Sequence, residues 1–390
     1  MVIKRTINAF FAWGVVFAAL SSAQPMVATM PPGEHYYMYV GTYTGPKSKG
    51  IYAFRYDTKR VSFEPLGLVG EMERPSFLAI HPNGRFLYAV SELGNDGHTN
   101  GFVYSFAIDP ITGKLTFINK RSSGGGGACH LVVDKTQQIL LVANYGSGSV
   151  AAFRLAPDGS IGESTAVMQF SGSGPNPQRQ RGPHAHAVVL SPDNRFLFVP
   201  DLGTDQIHIL KFDPVKGSLA LNEPPYAKVD PGAGPRHLTF APDGRFAYVV
   251  DEMGSTVTAF NYEAGLGALT ELQVVSTLSD EFTGINNAAE IQTDPAGHYL
   301  YASNRGNDSI AVFSIEKNSG KLVRIQIAPT QGRTPRNFTI DPTGKYLLAA
   351  NQDTDNIIVF RMNHRSGKLT PAGKMLAAPS PVCLTFVSAP

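Results

Sequence analysis

Apolar residues along this chain recur in one short phrase: an apolar strand, a turn that begins with proline, and a second apolar strand that stops at a polar residue. Clear copies of the phrase begin at Phe77, His186, His237, Glu290 and Asn337. Proline presets the first turn dihedral, and Asn, Asp and Gly tolerate the others, so each copy predicts a β-hairpin. Two further strands follow the polar stop, for example at 256–262 and 269–276. Four strands with a period of roughly 50 residues are typical of a propeller blade.

Alignment of the hairpin turns yields equivalent positions that imply seven blades. These positions are Phe77, His130, Ala187, His237, Glu290, Asn337 and Cys383. The last copy provides one inner strand, and residues 37–43 and 50–57 provide strands that it lacks. The sequence therefore predicts an all-β fold, a seven-bladed β-propeller of four-stranded antiparallel blades, with the ring closed by pairing the N- and C-terminal strands in one blade. An open solenoid or a β-sandwich is the alternative, but neither explains termini that complete each other's blade.

The composition agrees with a turn-rich β protein that has a substantial core. The 390 residues include 39 glycines and 28 prolines, and 43% of them are hydrophobic. Because the repeat runs almost end to end, we expect a single propeller domain over residues 36–390. The formal net charge is only +2, so no global field favours nucleic acid or an anionic membrane as a partner. We expect a monomer that acts on a small molecule.

The N-terminus has the pattern of a secretory signal peptide. Lys4 and Arg5 precede an apolar run over residues 9–20, and small residues follow up to Ala23. We therefore expect a signal peptide at 1–23, a linker at 24–35, and export of the mature chain to the periplasm or the extracellular space. An uncleaved anchor is the alternative, although an apolar run of about 12 residues is too short to span a bilayer. After cleavage, no membrane association is expected.

The two cysteines, Cys129 and Cys383, fall in blades that are not predicted to be neighbours. We expect two buried free thiols instead of a disulfide, even in an exported protein. The sequence also lacks the paired Cys or Cys/His spacing of a zinc site. No metal and no other cofactor is therefore expected.

Polar residues mark the strand ends that should meet at one mouth of the central channel. In a blade, the first strand lines the channel and the second runs antiparallel beside it, so the start of one and the end of the other share a face. First strands start at or just after His186, Arg236, His237, Glu290, Arg336 and Asn337. Second strands end at Ser91-Glu92, Asn144-Tyr145, Asp201, Asp251-Glu252, Asn304-Arg305 and Asn351-Gln352. Acids and bases brought together in this way shift each other's pKa values and prepare proton transfer.

The residue types at this mouth favour different roles. Arg236 and Arg305 are suited to act as rigid forks for a carboxylate, a phosphate or a developing oxyanion, because a turn requires no arginine. Asp201 and Asn351 have a structural alternative, since Asp and Asn at strand ends also close turns and connect blades.

A histidine pair precedes the third hairpin copy. His184 and His186 are two residues apart and lie on one strand face, which suits a general base or a substrate hydrogen bond. A metal would need a third ligand, and the spacing shows none. The preceding segment, residues 171–183, is long and rich in Gly, Pro and Arg. We expect it to be either a partial lid over the mouth, carrying Arg181 towards the substrate, or a surface loop.

Several motifs together resemble the lactonase family of seven-bladed propellers, which includes propeller-type 6-phosphogluconolactonases and the fungal carboxy-cis,cis-muconate cyclase. The matching stretches are Tyr39-Val-Gly-Thr-Tyr-Thr, Gly182-Pro-His-Ala-His, Asp201-Leu-Gly-Thr-Asp-Gln-Ile, Gly234-Pro-Arg-His-Leu, Leu300-Tyr-Ala-Ser-Asn-Arg-Gly-Asn-Asp-Ser-Ile and Ala350-Asn-Gln. The resemblance covers residues 36–386. It implies chemistry on a lactone ring, and it implies catalytic roles for a histidine of the Pro-His-Ala-His segment, Arg236, Glu252 and Arg305. Of the two histidines, His186 is our choice.

The resulting hypothesis is hydrolysis of a sugar lactone or another small anionic lactone by water attack at the channel mouth. The catalytic candidates are His186, Arg236, Glu252 and Arg305, and the substrate-binding candidates are Arg181, His184, Asp201, His237, Glu290, Arg336 and Asn351. One alternative is a muconate-type lactonizing cyclase, which is an intramolecular lyase. The other is a non-catalytic exported propeller that binds a ligand or a protein. The export signal disfavours a phosphorylated cytosolic sugar as the substrate.

Overall fold

The computed structural model describes Val2, residues 33–96 and residues 99–390. The predicted signal peptide, apart from Val2, and most of the predicted linker lie outside the described residues. Within the described ranges, the strands form seven four-stranded antiparallel sheets arranged as the blades of a propeller. The predicted fold class and the number of blades are confirmed.

Blade 1 contains β1 (His35–Thr42), β2 (Gly50–Asp57), β3 (Ser62–Glu71) and the C-terminal strand β28. Blade 2 contains β4 (Leu78–Ile80), β5 (Phe86–Ser91), β6 (Phe102–Ile108) and β7 (Leu115–Ser122). Blade 3 contains β8 (Ala128–Val133), β9 (Ile139–Asn144), β10 (Ser149–Leu155) and β11 (Ile161–Gln169). Blade 4 contains β12 (Val189–Leu190), β13 (Phe196–Asp201), β14 (Gln206–Asp213) and β15 (Ser218–Lys228).

Blade 5 contains β16 (Pro235–Phe240), β17 (Phe246–Asp251), β18 (Thr256–Glu263) and β19 (Ala268–Ser276). Blade 6 contains β20 (Asn287–Thr293), β21 (Tyr299–Arg305), β22 (Ser309–Ile315) and β23 (Leu322–Pro329). Blade 7 contains β24 (Pro335–Ile340), β25 (Tyr346–Asn351), β26 (Asn356–Met362) and β27 (Leu369–Ala377), with a short 3-10 helix at Gln352–Thr354. Strand β28 spans Pro381–Ala389.

Blade 1 closes the ring with strands from both ends of the chain. Strand β28 pairs antiparallel with β1, and the register places Tyr39 opposite Thr385 and Met38 opposite Phe386. The inner strand of this blade therefore comes from the C-terminus, and its other three strands come from the N-terminal part. This pairing confirms the predicted closure and leaves the inner edge of β1 paired, which removes an edge that could recruit another chain.

Apolar contacts between neighbouring blades form the core, and a repeated hydrogen bond fixes the spacing of the blades. The Tyr248 hydroxyl of blade 5 donates to the Gly320 carbonyl in a turn of blade 6 at 3.0 Å. Tyr301 of blade 6 donates in the same way to Gly367 of blade 7 at 2.9 Å. Each of these two hydroxyls is buried together with its hydrogen-bond acceptor, so neither of the two donors is left unpaired.

Both cysteines are buried free thiols, as predicted. Cys129 lies in blade 3 and Cys383 in blade 1, with blade 2 between them in the ring. The Cys129 sulfur lies 3.3 Å from the carbonyl oxygen of His186 in blade 4, so this thiol connects two blades by a contact that needs no covalent bond.

Irregular pairing at the start of the inner strands directs side chains to the channel mouth. The register of β16 shifts between Pro235 and His237, which leaves Arg236 as an extra residue. The same shift occurs around Arg336 in β24 and around Cys129 in β8. A β-bulge of this kind re-aims the side chain of the extra residue. The bulges therefore deliver two consecutive side chains per strand to the channel, where a regular strand would deliver one.

Candidate functional site

A polar cavity of about 390 Å³ occupies the channel mouth where the second strands end. Each of the seven blades contributes to it. Its lining consists of Tyr43, Arg74, Glu92, Asn95, Cys129, Tyr145, Arg179, His186, Glu252, Asn287, Arg305 and Arg336. Four arginines face two glutamates in this lining, so the cavity carries an excess of positive charge.

Glu252 is the centre of this charge arrangement. It follows β17 directly and is only 5% exposed. Its carboxylate lies 2.8 Å from Arg179 Nη2, 2.8 Å from Arg305 Nη2 and 3.2 Å from Arg236 Nε. The three cations come from the segment before blade 4, from the end of β21 and from the bulge of β16. One carboxylate therefore fixes three arginines that belong to three separate parts of the chain.

The electrostatics follow from this geometry. Burial favours the neutral form of Glu252, but the charges of Arg305, Arg236 and Arg179 outweigh it and hold the pKa of the carboxyl well below its usual range. Burial, together with the charges of Arg336 and Arg305, lowers the pKa of Arg236 to about 9. Arg236 therefore remains charged at neutral pH, and Glu252 is a stable anion that is a weak base.

His186 is the histidine of the pair that reaches the cavity. It is 4% exposed, and its ring lies edge-on to Tyr145 at a centroid distance of 5.3 Å. Burial, followed by the charges of Arg236 and neighbouring groups, lowers the pKa of His186 well below its usual range. The imidazole is therefore neutral at pH 7, and a neutral imidazole can accept a proton from water.

A second carboxylate faces the cavity from the side of blade 2. Glu92 follows β5 and accepts hydrogen bonds from the Tyr43 hydroxyl at 2.9 Å and from Asn95 Nδ2 at 3.1 Å. Arg336 lies 3.9 Å from the same carboxylate. Glu92 is thus positioned by hydrogen bonds, in contrast to the arginine triad around Glu252.

Three of the predicted residues lie behind the cavity in the channel. Arg236 Nη1 donates to the Ala289 carbonyl at 2.6 Å and lies 3.2 Å from His237 Nε2. His237 Nδ1 lies 3.4 Å from a carboxylate oxygen of Glu290. Polar contacts therefore connect four residues in the order Glu290, His237, Arg236 and Glu252, and this chain of contacts lies behind the cavity.

The structure places the other predicted binding residues outside the cavity lining. Asp201 is fully buried and accepts from the His184 and Gly203 backbone amides and from His208 Nε2. Asn351 is also buried, and its Nδ2 donates to the Thr330 carbonyl at 3.1 Å. These contacts connect turns and blades.

His184 and Arg181 also lie outside the lining. The His184 ring stacks on Tyr145 at 4.4 Å with its Nδ1 2.9 Å from the Tyr145 carbonyl oxygen. Arg181 is exposed and bonds through Nε to the Pro177 carbonyl at 2.7 Å. Of the predicted set, the structure therefore brings His186, Glu252, Arg305 and Arg336 together at the cavity itself.

Several lining residues were not among the predicted site residues. Glu92 and Tyr145 stand at second-strand ends, the position that the repeat singles out, and Tyr43 lies in the Tyr39-Val-Gly-Thr-Tyr-Thr motif. Arg179 comes from the segment over 171–183 and reaches Glu252 from there. The remaining ones are Arg74, Asn95, Cys129 and Asn287. Arg74 and Asn287 stand three residues before the aligned positions Phe77 and Glu290, Cys129 directly precedes the aligned His130, and Asn95 lies in a connection.

Within the described ranges, no group of three or more His, Cys, Asp and Glu side chains is arranged to hold a metal ion. In the same part of the chain, no helix is both long enough and apolar enough to span a membrane.

Comparison with known proteins agrees with this architecture. A family model described as lactonase, 7-bladed beta-propeller, matches residues 37–386. The chain belongs to this lactonase family. At the level of the family it is a hydrolase, a lactonase, and the resemblance inferred from the motifs is confirmed.

Individual relatives match over most of the chain. A 6-phosphogluconolactonase of Bacillus subtilis is 36% identical over 352 residues, which are 90% of this chain and 98% of the relative. A 6-phosphogluconolactonase of Formosa agariphila is 37% identical over 308 residues, 78% of this chain and 86% of the relative. The solved structure of a periplasmic gluconolactonase from Pseudomonas aeruginosa superposes with a TM-score of 0.86 at 34% identity, covering 91% of this chain and all of that chain.

Proposed function

We propose that this lactonase hydrolyses an anionic sugar lactone, or another small anionic lactone, in the cavity at the channel mouth. The observation that carries the proposal is the buried Glu252 carboxylate bound by Arg179, Arg236 and Arg305. Such an arrangement holds cationic donors rigidly at the place where negative charge must develop during attack on an ester carbonyl. The excess of arginine over glutamate in the lining also favours an anionic substrate.

The proposed reaction needs one water molecule and one base. His186, neutral at pH 7, removes a proton from water as the water oxygen attacks the lactone carbonyl carbon. Arg305, fixed by Glu252 and by the Asn287 and Ala288 carbonyls, stabilises the oxyanion. The protonated His186 then returns the proton to the ring oxygen as the carbon–oxygen bond breaks, which yields the free hydroxy acid.

The roles of Glu252 and Arg236 follow from their surroundings. Both carboxylate oxygens of Glu252 are held by arginines, Oε1 by Arg179 and Oε2 by Arg236 and Arg305, so Glu252 serves to position the arginines. Arg236, together with His237 and Glu290 behind it, supports Glu252 from the channel side. Between His186 and Glu252, the base role in this proposal therefore goes to His186.

Removal of the central charge tests the proposal. Glu252→Gln keeps the size of the side chain but releases three arginines from their fixed positions, and Arg305→Met removes the proposed oxyanion donor. Each substitution is expected to lower lactone turnover by about 10²-fold or more, measured as proton release from a panel of aldonolactones. Glu316→Gln, an exposed carboxylate outside the cavity, is the matched control and should turn over lactone like the wild type.

Unchanged turnover in a folded Glu252→Gln protein contradicts the assignment. Reaction in deuterated water separates hydrolysis from the muconate-type cyclase chemistry, because only the lyase route fixes deuterium at carbon. Deuterium bound to carbon in the product would overturn hydrolysis in favour of the lyase. A wild-type protein that turns over neither the aldonolactones nor a muconate-type lactone would contradict both reactions and favour a binding protein.

Export of the mature chain is part of the same proposal. It rests on the signal-peptide pattern of residues 1–23 and agrees with the periplasmic location stated for the Pseudomonas aeruginosa relative. N-terminal sequencing of protein recovered from the periplasm or medium is expected to start near Gln24. Protein found only in the cytoplasm, with Met1 retained, would contradict export.

A further inference from the structure

Arg74 differs from the other arginines of the cavity because it forms no ion pair with a carboxylate of the described residues. Arg179 and Arg305 pair with Glu252, and Arg336 lies within ion-pair distance of Glu92. Among the described residues, the Arg74 side chain makes no hydrogen bond and no ion pair, and its Nε is buried without a partner. A cation that lines a cavity in this state is available to an anion that enters the cavity.

The backbone at Arg74 has an unfavourable conformation. Its φ is +49°, in the left-handed region that side chains other than glycine rarely adopt. Glycine holds the same position in blades 3 and 5, as Gly127 and Gly234 with φ of +67° and +65°, whereas blades 7 and 1 hold Thr334 and Ser380 there with φ of +59° and +40°. The equivalence is set by a common hydrogen bond, in which the carbonyl accepts from the residue after the second strand of the blade, for example Glu92 for Arg74, Glu252 for Gly234 and Gln352 for Thr334. The left-handed conformation therefore belongs to this position of the blade, and glycine is the residue that adopts it without strain.

An aromatic ring fixes the direction of the Arg74 side chain. The guanidinium carbon lies 5.0 Å from the centroid of Tyr43, and that of Arg336 lies 5.2 Å from the same centroid. The Tyr43 hydroxyl is held by Glu92 at 2.9 Å. Two guanidinium groups thus stack on one positioned ring, one from the segment before β4 and one from the bulge of β24. Stacking leaves the edge of a guanidinium free to bind an oxyanion through two parallel hydrogen bonds.

We propose that Arg74, with Arg336 and Tyr43, forms an oxyanion subsite that selects lactones carrying a phosphate or carboxylate group away from the reacting carbonyl. This inference rests on the proposed lactone hydrolysis and adds the residue that determines substrate specificity. Arg305 and Glu252 serve the reacting carbonyl, and Arg74 serves the remote anion. The Arg74 side chain is a binding group and takes no part in proton transfer.

Substitution by glycine tests the subsite without straining the fold. Arg74→Gly restores the residue that blades 3 and 5 carry, so the variant is expected to unfold at a urea concentration no lower than the wild type. Three lactones are compared: a neutral aldonolactone, one with a carboxylate at its far end, and one with a phosphate there. The preference in kcat/KM for the anionic lactones over the neutral one is expected to fall by about 10- to 100-fold in Arg74→Gly, mainly through KM. The lactone whose preference falls more identifies the anion as phosphate or carboxylate.

A binding measurement makes the result independent of catalysis. Inorganic phosphate is expected to raise the Tm of the wild type and to raise that of Arg74→Gly much less. Arg361→Ala is the matched control, because Arg361 also stacks on a tyrosine, 5.9 Å from the Tyr346 centroid, but lies outside the cavity. Arg74→Asn, which also tolerates a positive φ, replaces Arg74→Gly if the latter does not fold.

The outcomes separate this inference from the proposed function. Equal losses for neutral and anionic lactones in Arg74→Gly, or a wild type with no preference for anionic lactones, would overturn the subsite while lactone hydrolysis stands. If the wild type hydrolyses none of the three lactones, the proposed function fails, and the Tm measurement with inorganic phosphate alone decides whether the subsite exists. If phosphate then shifts the Tm of the wild type and of Arg74→Gly by the same amount, the subsite is overturned.

Discussion

His186 combines access to the cavity with an imidazole that stays neutral. Its ring lines the cavity while the residue is 4% exposed, and burial, with the charges of Arg236, His237 and Arg336, keeps its pKa well below the usual range. A base with this pKa is deprotonated throughout the neutral range and gains a proton only in acid. The pH at which activity is lost should therefore report the environment of this one side chain.

The prediction for His186 concerns the pH dependence of kcat/KM. The wild type is expected to keep constant kcat/KM from about pH 6.5 to 8 and to lose activity only below that range, because His186 must be deprotonated to act. His186→Gln is expected to lower kcat/KM by about 10²- to 10⁴-fold and to abolish the acid limb that His186 causes. Proton-release or pH-stat assays over pH 4.5 to 8 measure both effects.

His298→Gln provides the matched control, since His298 lies in a groove apart from the cavity. It should leave both the rate and the acid limb unchanged. An acid limb that persists in His186→Gln would show that another group sets it, and near-normal turnover in that variant would remove His186 from the base role.

Each blade of this protein is built from hairpins, and the turn between its two outer strands packs against a neighbouring blade. Gly320 lies in the turn between β22 and β23 with φ of +68°, and a Cβ added there would overlap the Phe246 ring of blade 5. Gly373, within β27, has a nearly identical φ of +69°, yet a Cβ there would meet nothing within 4 Å. The two glycines share backbone strain but differ in packing, so they separate the two effects.

Alanine at these two positions should cost different amounts of stability. Gly373→Ala carries only the left-handed backbone penalty, about 1 kcal/mol in the free energy of unfolding. Gly320→Ala adds overpacking against Phe246 and disturbs the turn whose carbonyl accepts from Tyr248, so a total loss of about 2–4 kcal/mol is expected. Urea denaturation followed by circular dichroism measures both. Equal losses in the two variants would mean that the contact between blades 5 and 6 adapts without cost.

The hairpin pattern also explains which parts of the site the sequence could predict. Glu252 and Arg305 stand at the polar stop of a hairpin, and Arg336 at its start, so alignment of the copies finds them directly. Arg74 stands at a position that recurs before the inner strands, but blades 1, 3, 5 and 7 fill it with Ser, Gly, Gly and Thr, so alignment does not mark it as a site residue. Arg179 lies in a connection where no repeat fixes the register, and the folded ring brings it to the mouth. Alignment likewise finds Asp201 and Arg236 but cannot tell a residue that lines the cavity from one bonded behind it.

One structural position, the end of the second strand, recurs around the seven-bladed ring with different residue types. At the end of the second strand, blades 3, 6 and 7 carry Asn144, Asn304 and Asn351, and the Nδ2 of each donates to a carbonyl that follows the outer strand of the preceding blade. Blade 5 carries Asp251 there, fully buried, with Oδ2 accepting from Thr256 and Thr258 and with Oδ1 unpaired. Burial raises the pKa of Asp251 to about 7.

Asp251 should therefore make the stability of the whole ring depend on pH in a defined direction. Between roughly pH 4 and 7 the folded protein holds a proton that the unfolded chain has released, so stability falls as pH rises through this window and levels off above it. Asp251→Asn removes this dependence and supplies the Nδ2 donor that the asparagine blades use. The free energy of unfolding of Asp251→Asn minus that of the wild type is expected to increase by about 4 kcal/mol between pH 4 and a pH above 7. Urea denaturation of both proteins at several pH values measures the difference.

Asp201→Asn gives the opposite expectation from the same position in blade 4. Asp201 accepts from two backbone amides and from His208, so an amide nitrogen there would face donors and lose at least one hydrogen bond, at a cost of about 1–3 kcal/mol. Opposite signs for Asp201→Asn and Asp251→Asn at pH 8 would establish that the donors and acceptors around each position decide whether it tolerates Asp or Asn. A destabilised Asp251→Asn at pH 8 would instead indicate an ionised Asp251 whose charge the fold requires.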